Sequence, residues 1–199
     1  MIFQKDEISL ISQNLLAGSV GVMPSDTVYG IFARALNKPS VERIYSIKKR
    51  DLNKPFIVLI SDIKELELFG IKLADYQLKV VNKYWPGPLS VIFDCNKSEF
   101  EYLHRGINSL AIRLPKDDWL LDIIRKTGPL VAPSANLQDS PTVKNIDEAI
   151  AVFGNSVDFY VDGGICEGSA STLARFKKNK LEVLRLGRLV IEGLDIAGS

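Results

Sequence analysis

Residues 19–30 read Ser-Val-Gly-Val-Met-Pro-Ser-Asp-Thr-Val-Tyr-Gly, an apolar run that passes directly into a polar turn. The run over 19–23 predicts a short buried strand, which Pro24 ends. Ligands of α/β sheets usually lie at strand ends, so the turn that follows is a candidate binding loop. Thr27 offers a hydroxyl there, and Gly30 allows a close approach to the backbone. An ordinary turn explains this segment equally well when it is taken alone.

Predicted helices and strands alternate along the rest of the chain, which indicates an α/β protein. A helix from Ile8 ends before Gly18, and Pro39 opens a second helix. The other predicted helices lie near 62–69 and 74–84 and after Asp117 and Asn145, and the other predicted strands at 56–60, 89–93, 110–114, 130–132, 157–161, 171–176 and 181–186. The closely spaced late strands favour a partly antiparallel sheet. No linker divides the chain, so we expect one domain over residues 1–199.

The composition is that of an ordinary globular protein. Of 199 residues, 46% are hydrophobic and 25% are charged, which argues against disorder. The net charge of +1 gives no bulk electrostatic argument for nucleic-acid binding. Cys95 and Cys166 form no zinc pattern and are expected to be reduced. The N-terminus does not fit a signal peptide and no apolar run reaches ~18 residues, so we expect a cytoplasmic protein without a membrane span.

The common nucleotide and hydrolase motifs are absent from the sequence. It contains neither a phosphate loop nor a dinucleotide-binding glycine turn, and it has no nucleophile elbow. The single histidine, His104, makes a catalytic triad improbable, and we expect it in a surface position or a loop. A nucleotide enzyme of this sequence therefore requires another kind of site.

Two cationic segments are candidates for such a site. The second helix ends in Lys48-Lys49-Arg50, and Lys54 follows. These cations could clamp a triphosphate, although cations are also favoured at any helix C-terminus. Arg113 interrupts the apolar strand that begins at Ser109, so it requires an anionic partner. That partner is either a protein carboxylate or a ligand carboxylate or phosphate.

Two polar segments complete the candidates. Ala132-Pro133-Ser134-Ala135-Asn136 ends a strand in groups that suit phosphate, or else forms an ordinary turn. Ser171 opens a late strand after a Gly-Ser-rich loop, and Arg185 lies on the strand after it. Each of these segments is a weak signal when it is considered alone.

Taken together, from Gly18 to Arg188, the chain resembles the YrdC/TsaC family. The order and spacing of five segments carry the resemblance: Ser25-Asp26-Thr27-Val28-Tyr29-Gly30, Lys48-x-Arg50, Trp85-Pro86-Gly87-Pro88-Leu89, Ala111-Ile112-Arg113-Leu114-Pro115 and Pro133-Ser134-Ala135-Asn136. The resemblance implies a single YrdC-like domain, with a twisted mixed sheet, helices and a large concave basic cavity. The chain is similar to the short form, which lacks an additional C-terminal domain.

The resemblance also implies an activity. Members make threonylcarbamoyl-AMP and pyrophosphate from L-threonine, bicarbonate or CO2, and ATP. A separate transferase complex then uses the product to form N6-threonylcarbamoyladenosine in tRNA. The resemblance leaves open whether tRNA makes weak contact with this protein. Mg2+ would be held mainly by the ATP phosphates, because the sequence has no carboxylate pair that marks a metal site.

Site residues follow from the resemblance position by position. Thr27, Arg113 and Ser171 would contact threonine. Lys48 and Arg50 would face the ATP phosphates as the catalytic cations. The other residues implied to bind the nucleotide are Lys54, Ser109, Ala132, Ser134, Asn136, Thr142 and Arg185.

The chain departs from the family pattern at several positions. Leu59 stands where many relatives have histidine, and Gln138-Asp139 replaces a common Ser-Gly. These changes affect the expected threonine contact and loop closure. Two alternatives therefore stay open: a non-catalytic RNA-binding protein that uses the same cavity, and a carbamoyl-transfer enzyme with another acceptor.

Overall fold

The structure is a computed structural model that describes residues 1–191. The predicted single domain includes residues 192–199, which lie outside the described part. The helices are α1 (Ile8–Leu16), α2 (Lys38–Lys48), α3 (Asp75–Tyr84), α4 (Glu101–His104), α5 (Asp118–Thr127) and α6 (Ile146–Phe153), with short 3₁₀ segments at Ile63–Phe69, Ser98–Phe100 and Gly154–Ser156. The strands are β1 (Ile2–Gln4), β2 (Gly21–Met23), β3 (Gly30–Arg34), β4 (Ile57–Leu59), β5 (Leu89–Asp94), β6 (Ser109–Arg113), β7 (Leu130–Val131), β8 (Phe159–Asp162), β9 (Thr172–Lys177) and β10 (Lys180–Arg185).

The strands within residues 1–191 form one mixed sheet in the order β1-β8-β2-β3-β7-β4-β6-β5-β9-β10. Parallel pairs include β4 with β6 and β5 with β9, whereas β9 and β10 form an antiparallel hairpin. The predicted α/β class and the partly antiparallel sheet are therefore confirmed.

Local sequence chemistry explains several helix ends. Asn37 caps α2 by accepting the Ser40 N–H, and Pro39 lies in the first turn of the same helix. Asp117 and Asn145 cap α5 and α6 in the same way. Gly18 follows α1 with a φ of +91°, a conformation that favours glycine. The helix boundaries predicted from these residues are confirmed within one or two positions.

The two faces of the sheet are covered unequally. One face packs against α2, α3, α4 and α6 in the larger hydrophobic core. On the other face, α1 and α5 form a smaller core with strands β1, β8, β2, β3 and β7, where Ile11, Leu15, Leu120 and Ile124 are buried. The part of this face that lies beyond β4 has no such helical cover, so it is free to form a concave surface.

Three sequence expectations are corrected by the structure. Strands β1 and β3 were not predicted, since each is a short run that pairs with a strand far along the chain, β1 with β8 and β3 with β7. The segment Ile63–Phe69 forms a 3₁₀ helix rather than an α-helix. The surface position expected for His104 is wrong, because its side chain is buried beside the end of α4. Its Nδ1 accepts the Gly106 N–H at 3.2 Å, which satisfies one ring nitrogen locally.

In the part of the chain that the structure describes, no helix has the length and apolar character needed to cross a bilayer.

Candidate functional site

A cavity of about 350 Å³ occupies the concave part of the sheet. Its lining includes the cations Arg50, Lys54, Arg113 and Arg185 and, among the described residues, no aspartate or glutamate. Asp26, outside this lining, pairs with Arg113, and Asp51 lies 4.0 Å from Lys54 Nζ, so the positive charge that favours an anionic ligand comes mainly from Arg50 and Arg185. Four cations singled out in the sequence thus line one cavity.

The floor of this cavity is apolar because of the strand register. Leu59 pairs with Arg113 and Ile57 with Ala111, and side chains alternate along a strand, so these four residues share one face. All four line the cavity, whereas the alternate residue Val58 belongs to the larger core on the opposite face. Leu59, one of the departures from the family pattern, therefore lies beside Arg113 in the floor.

A second cavity of about 290 Å³ adjoins the first. The two share Arg50, Lys54 and Ser134, and Lys48 and Asn136 also line the second. The shared residues place the pair of cavities side by side, which suits an extended ligand whose charged part lies near Arg50.

The end of α2 directs the side chains of Lys48 and Arg50 to different places. Lys49 adopts a left-handed conformation with a φ of +51°, and its N–H and that of Arg50 return to carbonyls of the last helical turn. This cap ends the helix after Lys48, whose side chain is buried, and turns Arg50 into the cavity wall.

Lys48 is only 1% exposed, and its ammonium is bound by the Ser134–Asn136 loop. Nζ donates to the carbonyl oxygens of Ser134 at 2.5 Å and Asn136 at 2.6 Å, and to Asn136 Oδ1 at 3.1 Å. Burial, with the positive charge of Arg50, lowers the pKa of Lys48 to about 7. Lys48 therefore shapes the loop with all three of its donors.

This low pKa predicts a pH-dependent stability. Between about pH 7 and 10.5 the unfolded chain keeps the Lys48 proton while the folded protein releases it, so the free energy of unfolding should rise with pH. Relative to Lys48→Met, the wild-type value is expected to gain up to about 4 kcal/mol across this window and stay constant below it. Urea unfolding of both proteins at several pH values measures the difference. A flat difference from pH 7 to 10 would contradict the assignment.

Arg50 and Arg185 lie close enough to repel each other. Burial and the charge of Arg50 lower the pKa of Arg185, and burial also lowers the pKa of Arg50. Protein carbonyls hold both guanidinium groups: Arg50 Nε donates to Lys54 O at 3.1 Å, and Arg185 Nη2 donates to Ser171 O at 2.9 Å. An anion between the two cations would relieve this repulsion.

Arg113 is buried and has a carboxylate partner within the protein. Nη2 forms an ion pair with Asp26 Oδ1, Nη1 donates to Thr27 Oγ1 at 3.1 Å, and Nε donates to Gly87 O at 3.0 Å. A guanidinium has five N–H donors, so these three contacts leave one N–H on each Nη atom; Nη2 is fully buried, so the remaining Nη1 donor is the one left for a ligand in the cavity. Of the two alternatives for Arg113, the protein carboxylate is present, and the remaining Nη1 donor still allows a ligand anion.

The turn Trp85-Pro86-Gly87-Pro88 supplies the Gly87 carbonyl that accepts from Arg113 Nε. The Gly87 N–H donates to Leu114 O at 2.9 Å, and Trp85 Nε1 donates to Leu89 O at 2.7 Å. A Cβ on Gly87 would lie 2.4 Å from the carbonyl oxygen of Tyr84, so only glycine fits. The turn thereby holds the Gly87 carbonyl against the arginine.

A late loop, residues 163–171, packs over the turn at Ser25–Val28. The Tyr29 hydroxyl accepts the Gly163 N–H at 2.9 Å and donates to Gly164 O at 3.0 Å. A Cβ on Gly168 would lie 1.9 Å from Thr27 O, so the two backbones are in direct contact. At its end, Ser171 Oγ lies 2.8 Å from Ser90 Oγ at the edge of the cavity.

Tyr29→Phe should release the start of this loop. Loss of both contacts to a buried hydroxyl is expected to lower the free energy of unfolding by about 1–2 kcal/mol and to speed amide exchange at Gly163. Hydrogen exchange followed by NMR provides the measurement, with the Gly187 amide, which donates to Thr172 Oγ1 at 3.0 Å, as an internal control. Unchanged exchange at Gly163 would show that the hydroxyl does not hold the loop.

Comparisons with known proteins agree with this geometry. The Sua5/YciO/YrdC family model, described as "Telomere recombination", matches residues 13–187. The chain belongs to this family. A putative threonylcarbamoyl-AMP synthase of Mycobacterium tuberculosis is 30% identical over 88% of this chain and 82% of its own length.

Longer members of the Sua5/YciO/YrdC family are similar as well. The threonylcarbamoyl-AMP synthase of Pyrococcus abyssi is 27% identical over 89% of this chain, and the chain spans only 53% of that relative. The crystal structure of Pyrococcus abyssi Sua5 complexed with L-threonine matches 94% of this chain and 57% of its own, with a TM-score of 0.87 and 25% identity.

The structure brings together most of the residues that the family resemblance implied. Those that line the first cavity are Thr27, Arg50, Lys54, Ser109, Arg113, Ala132, Ser134, Ser171 and Arg185. Lys48 and Asn136 line the second. Thr142 is half-buried in the loop before α6 and is not among the lining residues of either cavity.

Sequence reasoning missed the partners of these residues. Asp26 lies inside the first quoted motif, so its position beside Thr27 was a signal for a partner of Arg113. Ser90, the partner of Ser171, gave no such signal, because the register of β5 against β9 alone brings the two together. Gln138 accepts the Asp51 N–H at 3.0 Å, so this departure from the family pattern ties two loops of the second cavity.

A protein-held metal ion does not fit this site. Within residues 1–191 no three His, Cys, Asp or Glu side chains cluster as metal ligands. The carboxylate of Asp26 is engaged by Arg113 and by the Lys116 N–H. Any metal ion here would therefore have to enter with a ligand.

Proposed function

We propose that this protein is a threonylcarbamoyl-AMP synthase, which makes threonylcarbamoyl-AMP and pyrophosphate from L-threonine, bicarbonate or CO2, and ATP. The observation that carries the proposal is a cavity whose lining, within residues 1–191, contains four cations and no carboxylate, in a chain whose curated relatives bear that name. Such a site matches a substrate pair that brings a triphosphate and an amino-acid carboxylate into one space.

The reaction requires two bond-forming steps. The amine of threonine attacks CO2 and loses a proton, which gives a carbamate; bicarbonate would supply the same carbon with loss of water. A carbamate oxygen then attacks the α-phosphorus of ATP, and the bond to the bridging oxygen breaks as pyrophosphate leaves. Positioning and charge stabilisation supply most of the catalysis in such a phosphorus displacement.

The geometry supports a division of labour among the cations. The remaining Nη1 donor of Arg113 binds the threonine carboxylate beside Thr27. Arg50 and Arg185 then bind the phosphates, since an anion between them relieves their mutual repulsion. Lys48 acts through the Ser134–Asn136 loop, whose carbonyls it orders. This role replaces the direct phosphate contact that the resemblance implied for Lys48.

Mg2+ enters this proposal as part of the substrate, MgATP. In the described part of the chain no His, Cys, Asp and Glu side chains cluster as metal ligands, so we expect the phosphates to hold the ion. The product would pass to a tRNA-modifying transferase in the cytoplasm, and threonylcarbamoylation of adenosine in tRNA is its expected use.

Pyrophosphate release tests the proposal. The protein is incubated with ATP, Mg2+ and bicarbonate, together with one amino acid at a time, and the nucleotide product is identified by mass spectrometry. We expect release that depends on threonine, with formation of threonylcarbamoyl-AMP. Release without an amino acid would favour carbamoyl transfer to another acceptor. Absence of turnover, together with salt-sensitive RNA affinity, would favour an RNA-binding protein.

A further inference from the structure

Arg50 lies at the end of a column of stacked side chains that begins outside the cavity. The guanidinium of Arg105 lies 3.8 Å from the centroid of the Tyr45 ring. The Tyr45 ring stacks on Phe56 with 4.0 Å between centroids and an interplanar angle of 23°. On the other side, Arg50 lies 5.4 Å from the Phe56 centroid. We call these four residues the aromatic column.

The outer end of the aromatic column is held in place. Both Nη atoms of Arg105 donate to the two carboxylate oxygens of Glu42, each at 2.9 Å. Glu42 and Tyr45 are three residues apart on α2, so one helix presents both the carboxylate and the ring. Arg105 itself follows α4 in a left-handed conformation with a φ of +52°, and its N–H donates to Glu101 O. The guanidinium is thus fixed by two separate helices.

The inner end reaches the proposed ATP site. Phe56 and Arg50 both line the first cavity, while Tyr45 and Phe56 are 2% and 3% exposed. The Lys54 carbonyl accepts both the Tyr45 hydroxyl and Arg50 Nε at 3.1 Å, so the column and the Arg50–Lys54 loop share one anchor. Arg105 is not among the residues that line either cavity.

Arg50 needs such support because its neighbours repel it. Arg50 lines the first cavity together with Arg185 and the second together with Lys48, so basic groups surround it on both sides. Without a ligand, repulsion favours rotamers that carry the Arg50 guanidinium into solvent. A flat ring beneath the guanidinium and a fixed Nε contact oppose that movement.

We propose that Arg105 is a positioning residue for ATP binding, which holds Arg50 in the cavity through the stacked rings of Tyr45 and Phe56. Removal of Arg105 should loosen the Tyr45 ring, then Phe56, and so release Arg50. Threonine binding at Arg113 should not change, since Arg113 is held by Asp26 and Gly87 instead. The identification of the ligand as ATP rests on the proposed function, whereas the contacts within the aromatic column do not.

The test compares Arg105→Met with Arg43→Met. Arg43 lies on α2, as Glu42 and Tyr45 do, and its replacement likewise breaks an ion pair, with Asp158 at 2.5 Å, but Arg43 is not part of the aromatic column. Calorimetry should show the Kd for ATP rising about five- to tenfold in Arg105→Met, with the Kd for threonine unchanged. Arg43→Met should leave both values unchanged. Equal weakening of both ligands, or unchanged ATP affinity in Arg105→Met, would overturn the proposal.

Two conservative variants test the aromatic column with smaller changes that should leave the protein folded. Glu42→Gln weakens the hold on Arg105 and should weaken ATP binding in the same direction, about two- to threefold. Tyr45→Phe keeps the ring and loses only the contact to the Lys54 carbonyl, so ATP affinity should stay within about twofold. A tenfold loss in Tyr45→Phe would assign the positioning to that hydrogen bond and not to the stack, which would refute the column.

A direct probe of Arg50 separates this inference from the proposed function. The Nε–H of Arg50 donates to Lys54 O, so its exchange with water, measured by NMR without ligand, should be slow in the wild type and several times faster in Arg105→Met. Equal exchange in the two proteins would overturn the positioning role. A wild-type protein that neither binds ATP nor releases pyrophosphate would refute the proposed function, while the exchange rates would still decide the role of Arg105.

Discussion

Arg113→Met is expected to lower kcat/KM for threonine about a hundredfold or more in the pyrophosphate-release assay. The substitution keeps much of the side-chain volume but removes the positive charge and the Nη1 donor that is left for the substrate carboxylate. Truncation of one partner of a buried charged contact costs about 2–5 kcal/mol, and each 1.4 kcal/mol is a factor of about ten. Arg113→Lys keeps the charge but cannot bridge Asp26, Thr27 and the ligand, so it should recover only a small part of the activity.

The same substitution also leaves Asp26 without its partner, and stability must be separated from catalysis. Arg113→Met should lower the free energy of unfolding by about 3 kcal/mol, because the Asp26 carboxylate is 12% exposed and loses its cation. The double variant Asp26→Asn/Arg113→Met should recover most of that stability and none of the activity. Wild-type kcat/KM for threonine in a folded Arg113→Met protein would show that Arg113 does not bind substrate.

Arg50→Met should weaken ATP use about a hundredfold, mainly through the KM for ATP. Arg50, like Lys54, lines both cavities, and loss of two charge-assisted hydrogen bonds from its guanidinium to phosphate accounts for about 3 kcal/mol. The substitution should also raise the pKa values of Lys48 and Arg185, since the Arg50 charge lowers both. The pH window in which stability depends on Lys48 should therefore begin at a higher pH and become narrower, since its upper limit is set by the unfolded chain.

Lys49→Met is the matched control for Arg50→Met. It removes a neighbouring positive charge from an exposed side chain that is not among the lining residues of either cavity. We expect nearly wild-type kinetics and an unchanged Lys48 transition. Equal loss of ATP affinity in the two variants would show that general electrostatic attraction, and not the position of Arg50, governs binding.

The residues that end helices were readable from the sequence because their effects are local. Asp117 and Asn145 cap the helices that follow them, and Gly18 ends the first. The strand β3 was not readable in this way, because one side of this run of five residues pairs with β7, which lies far along the chain. His104 was misplaced because α4 packs against α2, which comes much earlier in the chain.

Within the site, the residue types were predictable and their contacts were not. The motifs indicated which side chains could bind an anion, and most of them line one of the two cavities. Lys48 was expected to face the phosphates, yet all three of its donors go to the Ser134–Asn136 loop. No spacing along the chain indicates that a residue 86 positions away supplies those acceptors.

The sequence by itself determined the α/β class, the ends of the main helices and the five segments that identify the family, because these depend on residue type and short-range spacing. Only the tertiary structure decided that α1 and α5 leave part of the sheet uncovered, that Arg113 pairs with Asp26, and that Arg105 reaches Arg50 through two rings. Those features come from strand order and helix packing between distant segments, which local propensity does not specify.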